Sequence, residues 1–365
     1  MRGIDTKQQV FFSFRSIEDR IPAEHPIRPL KKLVDCGLAR LSKDFDGIYS
    51  SIGRDSIPPE QLMRALLIQI FFSIRSERQL VEQLDYNMMF RWFVGLNLDD
   101  AVWNHSTFSK NRDRLLEGEI AHRFFKEVLA IAKENGLVSQ EHFTVDGTLL
   151  EAWASHKSFQ SKEDVSDNED QPKGPTNGKN PDIDFRGQKR SNVTHESKTD
   201  PDARLARKSK RTGAQLSYMG HALMENRNGL VVDVRVTHAT GKAEEEAAAS
   251  MAAAIKGKHR VTLAGDKGYD SDELLRELRE MGITPHIAAN THERRTSSID
   301  ERTTRHDGYR ISQKKRKLVE QIFGWSKTVG CLRKLKHRGL ELVHSITAMN
   351  LTAYNLIRMR NLAMA

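Results

Sequence analysis

The sequence predicts an α/β protein: a mixed β-sheet flanked by helices and preceded by an all-helical region. Three observations carry that prediction. Apolar residues recur at helical spacing through roughly the first 135 residues. From residue 141 onward, runs that alternate with period two are interleaved with helical ones. Two of these runs flank the turn Asn226-Arg227-Asn228-Gly229, so an antiparallel hairpin accompanies the crossovers.

Composition narrows the function classes. No run of about 18 apolar residues occurs in the chain, which excludes an integral membrane protein. The 38% hydrophobic content, with four Trp and fifteen Phe, can build real cores and excludes wholesale disorder. The 365 residues suggest two or three domains. The N-terminus lacks the apolar core of a signal peptide, and Cys36 and Cys331 are too few for a zinc site or a disulfide framework, so a cytoplasmic protein is expected. Lys and Arg number 58 against 49 Asp and Glu, a net charge of +9, which points first to a polyanionic partner such as nucleic acid.

The elements follow in order. Pro59 suits a first helical turn, and Leu62, Leu66 and Ile70 stand four apart along a helix to Phe72. Ser76 is a helix cap, so the step Ser73-Ile74-Arg75 has helix–turn–helix spacing. Asn104-His105-Ser106 caps a further helix whose small polar and basic residues, Lys110 and Arg112 among them, suit phosphate or base-edge contacts. Phe143 to Asp146 is a short strand ending in an acid. Residues 161–212 hold only seven apolar positions; the first half reads as a flexible loop, and the second, basic half reads as a segment that orders on a polyanion. Strands at 216–223 and 229–237, a helix at 244–255, a strand at 260–264, a helix from Ser271 to Met281, a strand at 284–289, a helix from Lys314 to about Lys327 and an amphipathic helix at 345–359 complete the chain. Three strands, then helix and strand in alternation, is the ribonuclease H-like order. The expected division is a helical region, 1–135, and an α/β region, 136–365, with the polar insertion at about 161–212.

Three acids stand out by position. Asp146 and Asp266 are each placed at the carboxyl end of a strand, where catalytic groups of open α/β sheets gather. Two carboxylates there repel each other unless hard cations intervene, and a pair of divalent ions is the economical answer. Between Arg310 and Arg338 there are ten Lys or Arg residues and a single acid, Glu320. On one helix Arg316, Glu320 and Lys327 fall near a common face, with Gln313 and Lys317 close to the same stripe. A metal-binding acid inside a phosphate-binding surface is what phosphodiester chemistry needs. Other motifs fail: Gly174 to Lys179 is one residue short of a P-loop, and His292 to Arg295 with Tyr354 is too short a match to a tyrosine recombinase.

The blocks VDGTLLEAWAS (145–155), LAGDKGYDS (263–271) and RKLVEQIFGWSK (316–327), with NHSTFSKNRDRL (104–115), resemble bacterial insertion-sequence transposases of the DDE type. The third block fits a Tyr-x2-Arg-x3-Glu-x6-Lys signature at Arg316, Glu320 and Lys327; Gln313 stands where the Tyr belongs. The resemblance implies that Asp146, Asp266 and Glu320 carry two Mg2+ ions, with Mn2+ as a substitute. It also implies that Arg316 and Lys327 hold phosphates near the cleaved end; Gln313, Lys314, Lys315 and Lys317, beside them in the basic stretch, are read as further DNA contacts. The expected activity is cleavage and strand transfer of double-stranded DNA at terminal inverted repeats, by a homodimer in the synaptic complex, with no membrane partner. The alternatives are a ribonuclease H-like nuclease that cuts without joining and an inactive DNA-binding regulator.

Overall fold

A computed structural model describes residues 15–49, 56–117, 119–162, 190–209, 212–255, 260–290 and 297–364. The first half of the expected polar loop, the stretch Gly174 to Lys179 and the stretch His292 to Arg295 lie outside the described residues.

Helices come first: α1 (Ile17–Arg20), α2 (Ile27–Arg40), α3 (Ser42–Ile48), α4 (Pro59–Phe71), α5 (Glu77–Tyr86), α6 (Met88–Val94), α7 (His105–Glu117) and α8 (Ile120–Glu134). Their starts are chemically marked. Pro59 is the first residue of α4, where its missing N–H costs nothing. The Ser76 hydroxyl accepts from Gln79 N at 3.1 Å, and Asn104 Oδ1 from Ser106 N at 2.9 Å.

The remaining elements are β1 (His142–Glu151), β2 (Phe159–Ser161), β3 (His195–Ser197), β4 (Arg204–Ala206), β5 (Gln215–Glu225), β6 (Val231–His238), α9 (Ala243–Ala253), β7 (Val261–Gly265), α10 (Asp272–Glu280), β8 (Ile283–Ile287), α11 (Glu301–Thr304), α12 (Asp307–Lys315), α13 (Leu318–Thr328) and α14 (Leu340–Ala363). The expected mixed sheet is present. β5 lies antiparallel to β1 and to β6, while β7 and β8 run parallel to β1 on its other side. The β5–β6 turn closes because Gly229 adopts φ +73° and the Glu225 carboxylate accepts from the amides of Arg227, Asn228 and Leu230.

Four expectations are corrected. Asp146 does not end its strand: β1 continues five residues further, because β5 pairs along it as far as Glu151. The described part of the basic half of the insertion, 190–209, is already built into the fold. β4 pairs with the start of β5, and Asn192 brackets Leu205 by accepting from its N–H and donating to its carbonyl. The helix expected from Lys314 to Lys327 is two helices. Around Arg316 and Lys317 the amides of Val319 and Glu320 bond three residues back, to Arg316 and Lys317, so one tight turn separates α12 from α13. The terminal helix is not amphipathic but buried on nearly all sides from Val343 to Met359.

That burial has a packing cause. α14 runs between the N-terminal helices and the sheet, and one hydrophobic cluster joins Val34, Phe124 and Val128 to Val231, Ile346, Met349 and Leu356. Its polar residues are spent inside. Asn355 donates to the carbonyl of Val231 at 2.8 Å and accepts from its N–H at 2.9 Å, and Asn350 donates to the Gly330 carbonyl at 2.7 Å.

Candidate active site and nucleic-acid interface

The sheet register sets two carboxylates side by side. The last paired residues of the parallel strands β1 and β7 are Thr144 and Ala264. Asp146 and Asp266 each lie two residues beyond that pair, at the same step along neighbouring chains. Here β1 has no partner on the β7 side, and α13 packs against it instead. Asp146 is therefore a strand end with respect to β7 and mid-strand with respect to β5.

Local bonds hold both acids. Asp146 Oδ1 accepts from Gly147 N at 2.8 Å. Asp266 Oδ1 accepts from Gly268 N at 2.7 Å and caps a single 3-10 turn, Lys267–Tyr269. Burial pushes the Asp146 carboxyl up from the usual 3.8 to about 7; Asp266 and Glu244 push the same way, against the Gly147 amide and Arg316. Its charged form thus lacks compensation in the protein alone.

Glu244, which sequence reasoning passed over, belongs to this group. It sits in the first turn of α9 and packs on Gly147: a Cβ at position 147 would lie 2.7 Å from Glu244 Oε1. Burial, then Asp266, raises its carboxyl as well. Beneath lies Tyr269, 1% exposed, whose hydroxyl has no hydrogen-bond partner. Burial, then Glu244, Asp146 and Asp266, raises that hydroxyl far above its ordinary range. Gly147 was the available signal, since a glycine inside a strand marks close approach by another group. Glu244 itself, the first of three glutamates at a helix start, looks like an ordinary dipole partner.

The residues on the two C-terminal helices divide. Arg316 is half-buried and acts on Asp146. It is held by Gln313, whose Oε1 accepts from Arg316 Nε at 3.3 Å while its amide donates to the His286 carbonyl. Gln313 thus positions Arg316. Lys327 donates to Thr148 Oγ1 at 2.6 Å, two residues along β1 from Asp146. Lys314, Lys315 and Lys317 are exposed. Glu320 is exposed on the first turn of α13, and the acids acting on Asp146 are Asp266 and Glu244. Among the described residues, no three Asp, Glu, His or Cys side chains converge closely enough to hold a metal ion.

The two N-terminal candidates also part company. Lys110 is exposed on α7. Arg112 is 7% exposed and pairs with Glu77 and, at 2.7 Å, with Asp113. Its guanidinium ties α7 to α5, which corrects its reading as a phosphate contact.

A cleft of about 640 Å³ opens beside β1, lined by Lys327, Arg333, Arg207, Lys208, His156 and Glu151 among others. Glu151 is neutralised by Lys334 at 3.3 Å. Lys327 is shifted down by burial and then by Lys208 and Arg333, so the cations crowd together. Arg207 and Lys208 enter through the 190–209 segment. In the sequence they read as part of a loop, and nothing there showed which wall they would line.

Carboxylate oxygens are the donors that hard divalent cations take, and Asp146 and Asp266 stand at the same step of adjacent strands, without a third acid converging on them among the described residues. Among the described residues no helix is long and apolar enough to cross a membrane.

Residues 141–356, more than half of the chain, match a family model described as the transposase DDE domain, and residues 15–114 match one described as a transposase domain of the DUF772 type. No curated protein sequence matches the chain. Solved structures with similarity include a piggyBac transposase synaptic complex with hairpin DNA, at 9% identity and a TM-score of 0.42, covering 93% of this chain and 76% of that one. They also include a Mos1 strand transfer complex, at 15% identity and a TM-score of 0.20, covering 82% and 86%.

Proposed function

This chain belongs to the transposase DDE-domain family, and we propose that it cuts and joins the ends of an insertion sequence through Asp146, Asp266 and Glu320. DNA strand cleavage and transesterification are the chemistry of the family. The observation that carries the site assignment is the matched register of Asp146 and Asp266 on adjacent parallel strands, with Arg316 against Asp146.

Asp146, Asp266 and Glu320 would hold two divalent ions, Mg2+ or Mn2+. Bound there, these would neutralise phosphate charge and raise the acidity of a hydroxyl. The chain's own residues do the rest. Arg316, fixed by Gln313, offers its guanidinium to a phosphate beside Asp146. Lys327 lies about 7 Å further along β1, at ~3.3 Å per residue, and takes a neighbouring phosphate. In the first reaction water attacks phosphorus and the P–O3′ bond breaks, leaving a 3′-hydroxyl. In the second that hydroxyl attacks a target phosphate and a new P–O3′ bond replaces a target one.

The proposal divides the labour between a reading region, residues 1–135, where exposed Lys110 meets DNA, and a catalytic region, residues 136–365. Two copies acting on paired ends form the synaptic dimer, in the bacterial cytoplasm at the nucleoid. The test is incubation of DNA carrying the element's own terminal repeats with the protein and Mg2+. Nicks at the repeat boundary followed by strand-transfer products are expected. Nicks without joining indicate the plain nuclease, and neither product indicates a regulator.

The cationic cleft extends the same interface. Replacing Arg207, Lys208 and Arg333 together by Gln should weaken DNA binding and flatten the plot of log affinity against log salt, by roughly 0.9 for each phosphate no longer neutralised. An unchanged slope would remove the cleft from the DNA path.

A further inference from the structure

We propose that the cationic cleft beside β1 takes a single strand of DNA, with one unpaired base stacked on the ring of Trp153 at the cleft's rim. The inference rests on the DNA reading of that cleft and deepens it. It names the form of DNA the cleft admits and adds a residue outside the acids and the cations.

Trp153 is set apart from the other tryptophans. Trp92, Trp103 and Trp325 all pack against the cluster that joins the N-terminal helices to the sheet. Trp103 stacks on Phe108, and Trp325 meets Tyr354 edge to face. Trp153 is 45% exposed. Among the described residues, the cluster beneath it takes Ala152 and Ala154 but not the ring between them. The backbone there is nevertheless pinned. Ala152 N donates to the Leu216 carbonyl at 2.9 Å, and Leu335 N donates to the Glu151 carbonyl at 2.9 Å. In the turn that follows, Ser158 N donates to the Ser155 carbonyl at 3.0 Å. A large ring is thus held in solvent on a rigid base, which lowers the entropy lost when something stacks on it.

A single exposed aromatic is ordinary in itself, and the setting is what gives this one a partner. Glu151, two residues before it, and His156, three after it, line the cleft with Lys327, Arg333, Arg207 and Lys208. Lys334 links ring and cleft: its Nζ pairs with Glu151 at 3.3 Å and lies 5.9 Å from the Trp153 ring centroid. Aromatic rings beside cations that track a backbone bind single strands, because every base has a π-face and every nucleotide a phosphate. Within a duplex the bases stack on one another and offer the ring no face. The volume agrees: about 640 Å³ is the size of a small-molecule site, with room for a nucleotide or two and not for a double helix. Trp153 is seven residues from Asp146, at most about 23 Å at ~3.3 Å per residue. The stacked base therefore lies several nucleotides from the phosphate at Asp146, along the strand that Lys327 holds between them.

The test is binding of labelled oligo(dT), which forms no structure of its own, and of a long blunt duplex to the full-length protein without metal. Trp153→Ala should weaken oligo(dT) binding about tenfold and leave duplex binding within about twofold of wild type. The slope of log affinity against log salt should stay at the wild-type value, because stacking displaces no counterions, whereas replacing Arg207, Lys208 and Arg333 flattens it. Trp153→Phe keeps a ring and should restore most of the affinity. Oligo(dT) should also quench the intrinsic tryptophan fluorescence of wild type and quench that of Trp153→Phe much less. The inference falls if Trp153→Ala binds oligo(dT) as wild type does, or if it loses single strand and duplex equally; the reading of the acids stands in either case. If the triple replacement of Arg207, Lys208 and Arg333 binds both DNAs with wild-type affinity and slope, the DNA reading of the cleft falls and this inference with it. Should Trp153→Ala fail to fold, the fluorescence of wild type against Trp153→Phe decides alone.

Discussion

Asp146→Ala, Asp266→Ala and Glu320→Ala are each expected to lower nicking of end-containing DNA by about 1000-fold or more, because a missing metal donor forfeits several kcal/mol of transition-state stabilisation at 1.36 kcal/mol per tenfold. Binding of the same DNA should hold or tighten in each case, because every replacement removes a negative charge from a phosphate-binding surface. That opposition separates a catalytic role from a structural one, since a misfolded variant loses both. The three variants should also be close to equivalent, and a double replacement little worse than a single one, as for any group that acts as a unit. Lys327→Ala serves as the contrast. Its Nζ reaches Thr148 rather than the acids, so its removal should weaken both cleavage and binding, and less so as salt rises and screens the lost contact. Full nicking by Asp266→Ala or Glu320→Ala would show that the acid concerned had been misassigned.

The candidate acids could be singled out by position in the sequence, and the limits of that reading have physical causes. Asp266 could be read because a short apolar strand ends abruptly at Gly265 and the acid follows at once. Asp146 was found by the same logic but misplaced within its strand. A strand that has different partners on its two edges has two ends, and only the parallel edge stops near Asp146. Glu320 showed through local charge contrast, which needs no fold at all. Arg112 misled because helical spacing says which side a residue faces, not what waits there. Its partner Glu77 is 35 residues away in sequence, on another helix. The polar residues of α14 misled similarly, reading as a solvent face when Asn355 closes backbone bonds of β6. Glu244 was invisible for the converse reason: acids at a helix start are common, and only its seat on Gly147 distinguishes it.

Asp146→Asn should stabilise the metal-free protein above neutral pH and leave it nearly unchanged near pH 4. The folded Asp146 carboxyl is raised from 3.8 to about 7 by burial, with Asp266 and Glu244 pushing the same way. Between those values the folded state holds a proton that the unfolded state has released, so this group's contribution to stability falls as pH rises and its cost is complete above about pH 7. That cost is of order 4 kcal/mol at most, and asparagine, being neutral, escapes it. The wild-type profile alone would conceal the effect, because His122, His221, His286 and His337 are each lowered to about 4 by burial. Those histidines add stability that is present above the unfolded value of about 6.5 and lost as pH falls toward 4, the opposite direction. The difference between wild type and Asp146→Asn cancels them. Measured by denaturant titration at about pH 5 and about pH 8, that difference should grow with pH by a few kcal/mol. Saturating Mn2+ should then close the gap at the higher pH by stabilising wild type and not the variant, since a ligand bound only by the folded state adds its own binding free energy. A gap that stays constant across pH would mean that Asp146 is ionised without help from its neighbours, and the case for a cation between these acids would lose its electrostatic basis.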